Sequence, residues 1–370
     1  MLKMILLAFA ALAAASCTRG LDEAAVIGGD EIRFVVGDFP AFGGAQTRAV
    51  GTEDPGKTKW AAGDELLLEL GNNSYGSQYA TVMFNGEGWE LKSGTLIYRE
   101  GDPAYVPHVY YAPDYTWGSS GKLALKEGKV AGVDECIEGY GGITGDGQEI
   151  TVSFSNATRG YSRLRIATLP DVDVSVSVEY FTPAGPASEV STTYTLHSDA
   201  KGNAYLYGSF TKDATVSVKY GETVLASYTF GEASEGGKSY VLDATVISLE
   251  GMTLEEIDAA VEKMASEVNA GKTRFILRLN AGPDEYVFDK IHYGLEEAGY
   301  RSIDLTLMGC EKIPAKAFMR WTMLKSVTLP DVTEIGEFAF EVCSWLEKVV
   351  FGTPLTKVYG DPSETYGGCF

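Results

Sequence analysis

Leu329-Pro-Asp-Val-Thr-Glu-Ile-Gly-Glu-Phe-Ala-Phe-Glu-Val-Cys-Ser-Trp-Leu-Glu-Lys-Val349 is one copy of a unit that recurs through the C-terminal part of the chain. Leu307, Leu329 and Phe351 stand 22 residues apart, as do Leu324 and Leu346, and Val327 and Val349; Ile313, Ile335 and Val358 are spaced 22 and 23. Ile313-Pro-Ala-Lys-Ala-Phe318 returns as Ile335-Gly-Glu-Phe-Ala-Phe340, and Phe340-x-x-Cys343 returns as Tyr366-x-x-Cys369 after a three-residue insertion. A fixed period of apolar positions signifies a solenoid, because each copy, one short strand plus a turn or short helix, buries its apolar side only against its neighbours. About two and a half copies are visible up to Phe370 and roughly three are needed for stability, so the preceding region is expected to cap the array.

The copy over 329–349 resembles the BspA-like family of cell-surface leucine-rich repeats. The resemblance implies a surface that binds macromolecules, with Leu307, Ile313, Phe318, Leu324, Val327, Leu329, Ile335, Phe340, Leu346, Val349, Phe351 and Val358 as its core. Aromatic side chains are the usual anchors of such surfaces. Trp321, Trp345 and Tyr359 lie outside the most regular core positions and are the candidate binding residues, although the same positions also suit packing between coils.

The other end of the chain predicts its compartment. Lys3, the apolar run Met4 to Leu12 and the small residues Ala14-Ala-Ser before Cys17 read as a secretory signal, too short for a spanning helix. Small residues followed at once by Cys resemble a bacterial lipobox, which implies cleavage before Cys17 and acylation of its sulfur. Ala14 departs from the usual Leu of that motif. Acyl chains contribute about 0.8 kcal/mol per buried methylene, enough for two or three of them to hold a domain on a membrane without a spanning segment. Residues 18–29 form a polar tether in which Leu21-Asp-Glu23 resembles the surface-export signal of some lipoproteins of Gram-negative anaerobes. The expected location is the outer membrane, facing outward.

A net charge of -21 and a pI near 4.6 oppose nucleic acid and anionic headgroups at long range, so the membrane is expected as a partner through the lipid anchor only. Beyond Cys17, the cysteines at 136, 310, 343 and 369 form no Cys-x-x-Cys pair. Those near repeat positions read as small apolar fillers rather than disulfide or metal partners.

From Glu31 the pattern turns β-rich. Ile32 to Val36 reads as a strand, followed by Gln46-Thr-Arg-Ala49, Trp60-Ala-Ala-Gly-Asp64 and the apolar strand Glu65 to Leu70, with Gly63-Asp64 as the reversing turn. This order resembles the N-terminal domain of fimbrillin-like lipoproteins over about residues 30–165. In that family a loop Arg is cut by a trypsin-like protease, which removes the first strand. Arg48 is the matching candidate cleavage site here, with Arg33 and Arg19 as competitors. Residues 166–247 alternate over Val172 to Val178, Tyr194 to Leu196, Ala204 to Tyr207, Thr215 to Tyr220, Val224 to Phe230 and Tyr240 to Leu242, which predicts a second antiparallel sandwich. In 248–301 the period changes: Thr253-Leu-Glu-Glu256 is a capping box, Leu254, Ile257, Val261, Met264 and Val268 recur at helical spacing, Phe275 to Leu279 is a strand and Asp284 to Gly299 a helix.

The expected fold class is therefore mainly β: a signal peptide (1–17), a tether (18–29), two antiparallel β-sandwich domains (30–165 and 166–247), an α/β cap (248–301) and a short leucine-rich repeat solenoid (302–370). No catalytic constellation emerges. His108, His197 and His292 fall in three different segments, and no Gly-x-Ser-x-Gly, His-Glu-x-x-His or phosphate-cradling loop is present. Neither an enzyme nor a bound cofactor or metal is expected. The expected function is adhesin-like binding of a host or bacterial surface protein or glycan. A fimbrillin-type pilus subunit assembled with other pilus subunits by strand exchange, and a glycan-binding accessory lipoprotein, are the alternatives.

Overall fold

A computed structural model of the chain describes residues 26–28, 32–42, 56–71, 76–99, 107–143, 149–154, 159–186, 191–299 and 302–359. Cys17, Arg48 and Cys369 lie outside them, as do the signal and most of the tether. The described chain is mainly β, in three units.

The first unit holds β1 (Val26–Gly28), β2 (Arg33–Val36), β3 (Glu65–Leu70), β4 (Gln78–Phe84), β5 (Trp89–Gly94), β6 (Ile97–Arg99), β7 (Pro107–Tyr111), β8 (Tyr115–Trp117), β9 (Leu123–Leu125), β10 (Ile137–Ile143) and β11 (Glu149–Ser153). Seven of these close on themselves in the order β10-β11-β2-β5-β4-β3-β7, while β1 pairs with β6 and β8 with β9. The two-sheet sandwich expected here is thus one sheet rolled into a barrel, and its β11–β2 pair is parallel. Alternation records only that one face is buried, a property that a barrel and a sandwich share. Closure depends on β2, which meets β5 at Phe34↔Trp89. Loss of β2 would open the barrel between β11 and β5 and leave unpaired backbone groups. Gly63 turns with φ +92 and the Asp64 carboxylate accepts from Ala61 N at 2.7 Å, which launches β3 where the sequence places it. Trp60 packs on Phe39, Trp89 and Tyr111 at ring separations of 4.9–5.3 Å.

The second unit holds β12 (Ser162–Ala167), β13 (Asp173–Pro183), β14 (Thr193–His197), β15 (Asn203–Tyr220), β16 (Thr223–Thr229) and β17 (Ser239–Asp243), in the order β14-β13-β15-β12-β17 with β16 on β15. It too is a single sheet where two were expected. The apolar runs at 204–207 and 215–220 belong to one 18-residue strand. The polar segment Thr211-Lys-Asp213 between them reads as a loop in sequence. Its backbone nonetheless stays within the strand, kinked at Asp213 (φ +66) and held by Asp213 N to Phe230 O and Phe230 N to Ala214 O, both 2.8 Å. A bulge between Glu179 and Phe181, with Tyr180 at φ +56, bends β13 alongside it.

The third unit runs β18 (Val246–Ser248), α1 (Leu254–Asn269), β19 (Arg274–Arg278), α2 (Glu285–Glu297), β20 (Ile303–Met308), β21 (Lys312–Ile313), β22 (Leu324–Leu329), β23 (Glu334–Ile335), β24 (Lys348–Phe351) and β25 (Lys357–Val358). The capping box forms as read: Glu256 N donates to Thr253 Oγ1 at 3.3 Å and Thr253 N donates to Glu256 Oε2 at 2.8 Å. Ile257, Val261, Met264 and Val268 are buried, whereas Leu254, in the first turn of α1, is exposed. Two parallel sheets result, β18-β19-β20-β22-β24 and β21-β23-β25. Their register is the sequence period itself: Leu305 lies beside Val327 and Val327 beside Val349, while Ile313 pairs with Ile335 and Ile335 with Val358. One core runs from α1 and α2 through these coils. Leu307, Ile313, Phe318, Leu324, Val327, Leu329, Ile335 and Phe340 are buried in it. Leu346, Val349 and Phe351 are half-buried, and Val358, expected in the core, is 48% exposed because no described coil lies beyond it. On the opposite face of the larger sheet, Ile276 and Met308 join the core of the second unit.

Candidate binding surface

The structure separates the three aromatics that the sequence nominated. Trp321 is not a surface anchor: it is 2% exposed, stacked on His292 at 5.2 Å and edge-on to Phe318 at 5.0 Å. Its position follows the short Phe318 turn, which points it beneath α2 rather than outward. Burial holds the His292 imidazole below its usual pKa, which favours the neutral ring in this stack.

Trp345 and Tyr359 are exposed by 53% and 38% and line two different concavities. Trp345 sits with Ser302, Lys325 and Glu347 around a hollow of about 330 Å³ at the N-terminal ends of β20, β22 and β24. Tyr359 closes a groove of about 450 Å³ along the smaller sheet. The residue that follows each repeat aliphatic builds the groove: Pro314 after Ile313, Gly336 after Ile335, Tyr359 after Val358. Gly336 N donates to Ile313 O and Tyr359 N to Ile335 O, both at 2.8 Å, so the three lie in adjacent rungs. A Cβ at Gly336 would meet Ala315 N at 2.4 Å, so only glycine lets the coils approach this closely and keeps the groove floor bare.

Beside the groove, Lys312, Glu334 and Lys357 occupy successive rungs. Lys312 Nζ reaches Glu334 at 3.3 Å, and Lys357 Nζ stands 4.0 Å over the Tyr359 ring. Exposed pairs of this kind contribute little to stability but set a charge pattern at a rim. Pro314, Gly336 and Lys357 were not singled out from sequence. The signal was nevertheless present, since they flank the periodic aliphatics in every copy.

These groups stack, donate and accept; they do not converge on a reacting atom. His108 lies on β7, His197 pairs with Asp173 at 2.8 Å on the exposed end of β14, and His292 is in α2. Among the described residues no three His, Cys, Asp or Glu side chains are grouped to hold a metal. Cys136, Cys310 and Cys343 are free thiols. Burial pushes Cys310 up to about 12 and Cys343 to about 11, and their Sγ atoms donate to Lys312 O and Phe318 O. No helix of the described residues is long and apolar enough to cross a membrane.

Comparison with protein-family models finds no match, and no curated protein matches. Among solved structures, the Bacillus anthracis TIE protein is similar at 13% identity and a TM-score of 0.16, over 62% of this chain and 36% of that one. A likeness at that level carries no argument about fold or function.

Proposed function

We propose that this is a lipid-anchored surface protein whose C-terminal unit is a short leucine-rich repeat solenoid that binds a host or neighbouring-cell surface protein or glycan. The observation that carries the reading is the groove of Pro314, Gly336 and Tyr359 with its flanking Lys–Glu–Lys row, a concavity assembled by the repeat itself. Repeats of this kind present area and shape, and the few aromatic side chains in such an area carry most of the contact energy. The barrel and the bent sheet serve as the stalk. The test is flow cytometry of labelled full-length protein on intact epithelial and bacterial cells. The double substitution Trp345→Ala and Tyr359→Ala is expected to weaken binding by about tenfold or more, equivalent to ~1.4 kcal/mol, while the thermal melt is unchanged. Undiminished binding by a folded double variant would remove the repeat surface from the contact.

The anchor has its own expected outcome. In the Cys17→Ala variant no acyl chain is attached, and the protein is expected to leave the membrane fraction or to persist with its signal uncleaved. Retention of a cleaved, unacylated Cys17→Ala chain on membranes after carbonate and high-salt washes would contradict the anchor.

A further inference from the structure

A second, independent site lies on the barrel wall. Four outward side chains, Tyr79, Glu69, His108 and Tyr140, stand directly opposite one another across β4, β3, β7 and β10, and Tyr110 and Glu138 occupy the next rung. The β8–β9 hairpin stands over this wall. Its Trp117 ring packs 4.7 Å from Tyr79 and 6.1 Å from Tyr110, and Trp117 Nε1 donates to Ala80 O at 3.0 Å. The space between hairpin and wall is a cleft of about 660 Å³, lined by Glu69, His108, Tyr110, Trp117, Lys122 and Glu138. That volume is within the range of small-molecule sites.

The polar groups that line the cleft are held in place by one another and by Tyr140 and Tyr79, which do not line it but position His108, Glu138 and Glu69. His108 stacks flat on Tyr140, with ring centres 4.9 Å apart and planes 5° from parallel, and its Nε2 meets Glu138. The Tyr140 hydroxyl donates to the same Glu138 oxygen at 2.9 Å, the Tyr79 hydroxyl donates to Glu69 at 3.4 Å, and His108 Nδ1 lies 3.3 Å from the Tyr110 hydroxyl. Burial, with Glu138 and Glu69 nearby, pushes Tyr110 up to about 12, so its hydroxyl stays a donor at neutral pH. A network that served only to pack the hairpin would be covered by it, yet the His108 and Glu138 side chains that line the cleft remain 26% and 41% exposed.

We propose that this cleft binds a neutral saccharide. Flat aromatic faces suit the C–H faces of a pyranose ring, and a carboxylate, with about four lone-pair sites, is a natural acceptor for sugar hydroxyls. Two glutamates in a chain of net charge -21 disfavour a sialylated or uronic ligand. A lysine or arginine side chain is disfavoured by the Lys122 ammonium and the His108 ring, which line the same cleft beside the carboxylates.

The experiment is isothermal titration of the full chain with mannohexaose, xylohexaose, maltohexaose, N-acetylchitohexaose and lacto-N-tetraose, with 3′-sialyllactose and N-acetylarginine amide as the charged probes. At least one neutral probe is expected to bind with a dissociation constant below millimolar and to change tryptophan fluorescence. Tyr140→Ala is expected to weaken that binding about tenfold, Tyr140→Phe to retain most of it, and the Trp345→Ala/Tyr359→Ala variant to leave it unchanged. Three results would overturn the proposal: no neutral probe binding below millimolar, binding indifferent to Tyr140→Ala, or the arginine amide or sialyllactose binding more tightly than every neutral sugar. None of them bears on the repeat surface, which is tested by cell binding.

Discussion

Phe340→Ala is expected to destabilise the C-terminal unit by about 3–5 kcal/mol, the usual range for truncating a buried phenylalanine. Phe340 is 2% exposed and stacks on Phe318 with ring centres 4.9 Å apart and planes 12° from parallel; Phe318 in turn meets Phe288 of α2 at 5.2 Å. Its removal opens a cavity between two coils whose backbones are tied rung to rung and cannot collapse into it. A stacked array sums nearest-neighbour terms, so the loss of one interface is expected to release the coils beyond it. The core is shared with both helices, so the transition should include α1 and α2 while the barrel remains folded. Ile335→Ala, at a position 0% exposed, follows the same logic with a smaller volume and is expected to cost about 2–5 kcal/mol. Differential scanning calorimetry resolves the units. A Phe340→Ala profile superimposable on wild type in every transition would show that the coils are not packed through this ring.

Arg159→Met is expected to cost about 3–5 kcal/mol in the barrel, through a different mechanism. The Arg159 side chain is fully buried. Its Nη2 donates to Glu135 Oε2 at 2.9 Å, its Nη1 donates to Pro40 O at 2.7 Å, and its guanidinium lies 3.8 Å above the Phe42 ring. Tyr161 adds a 2.7 Å hydrogen bond to the same Glu135 oxygen. Methionine replaces the volume but strands Glu135 as a buried, uncompensated carboxylate. Substituting both partners, Arg159→Met with Glu135→Leu, removes the stranded charge and is expected to recover most of the loss. Burial already raises the Glu135 carboxyl above its usual pKa, and the nearby Arg159 opposes that rise; without the arginine it moves further up. A carboxyl raised in the folded state is penalised when ionised. The Arg159→Met penalty should therefore be greatest above the folded-state pKa and shrink as the pH falls toward the unfolded value near 4.5. Denaturant titrations across that window check both statements. A loss under about 1 kcal/mol, or one that grows on acidification, would refute the account.

The two predictions differ in how far the sequence anticipates them. Phe340 is legible because the 22-residue period marks it, and the period survives into three dimensions as strand register: residues one repeat apart become neighbours on adjacent rungs. Arg159 and Glu135 carry no comparable mark. A buried ion pair looks like two surface charges until the fold encloses it.

Local rules likewise account for the Thr253 capping box, the Gly63-Asp64 turn and β3 over Glu65–Leu70, each set by contacts within a few residues. The sequence by itself thus determined the mainly β class, the stacking period of the C-terminal coils and the faces that go inward, because burial alternates along the chain with the geometry of the local element. Only the tertiary structure decided that the first sheet closes into a barrel, that β15 is continuous through Thr211-Lys-Asp213, that Trp321 points inward, and that Tyr79, Glu69, His108 and Tyr140 share one rung. Those outcomes rest on pairings between residues tens of positions apart, and the free energy of such a pairing belongs to the assembled sheet rather than to any segment of it.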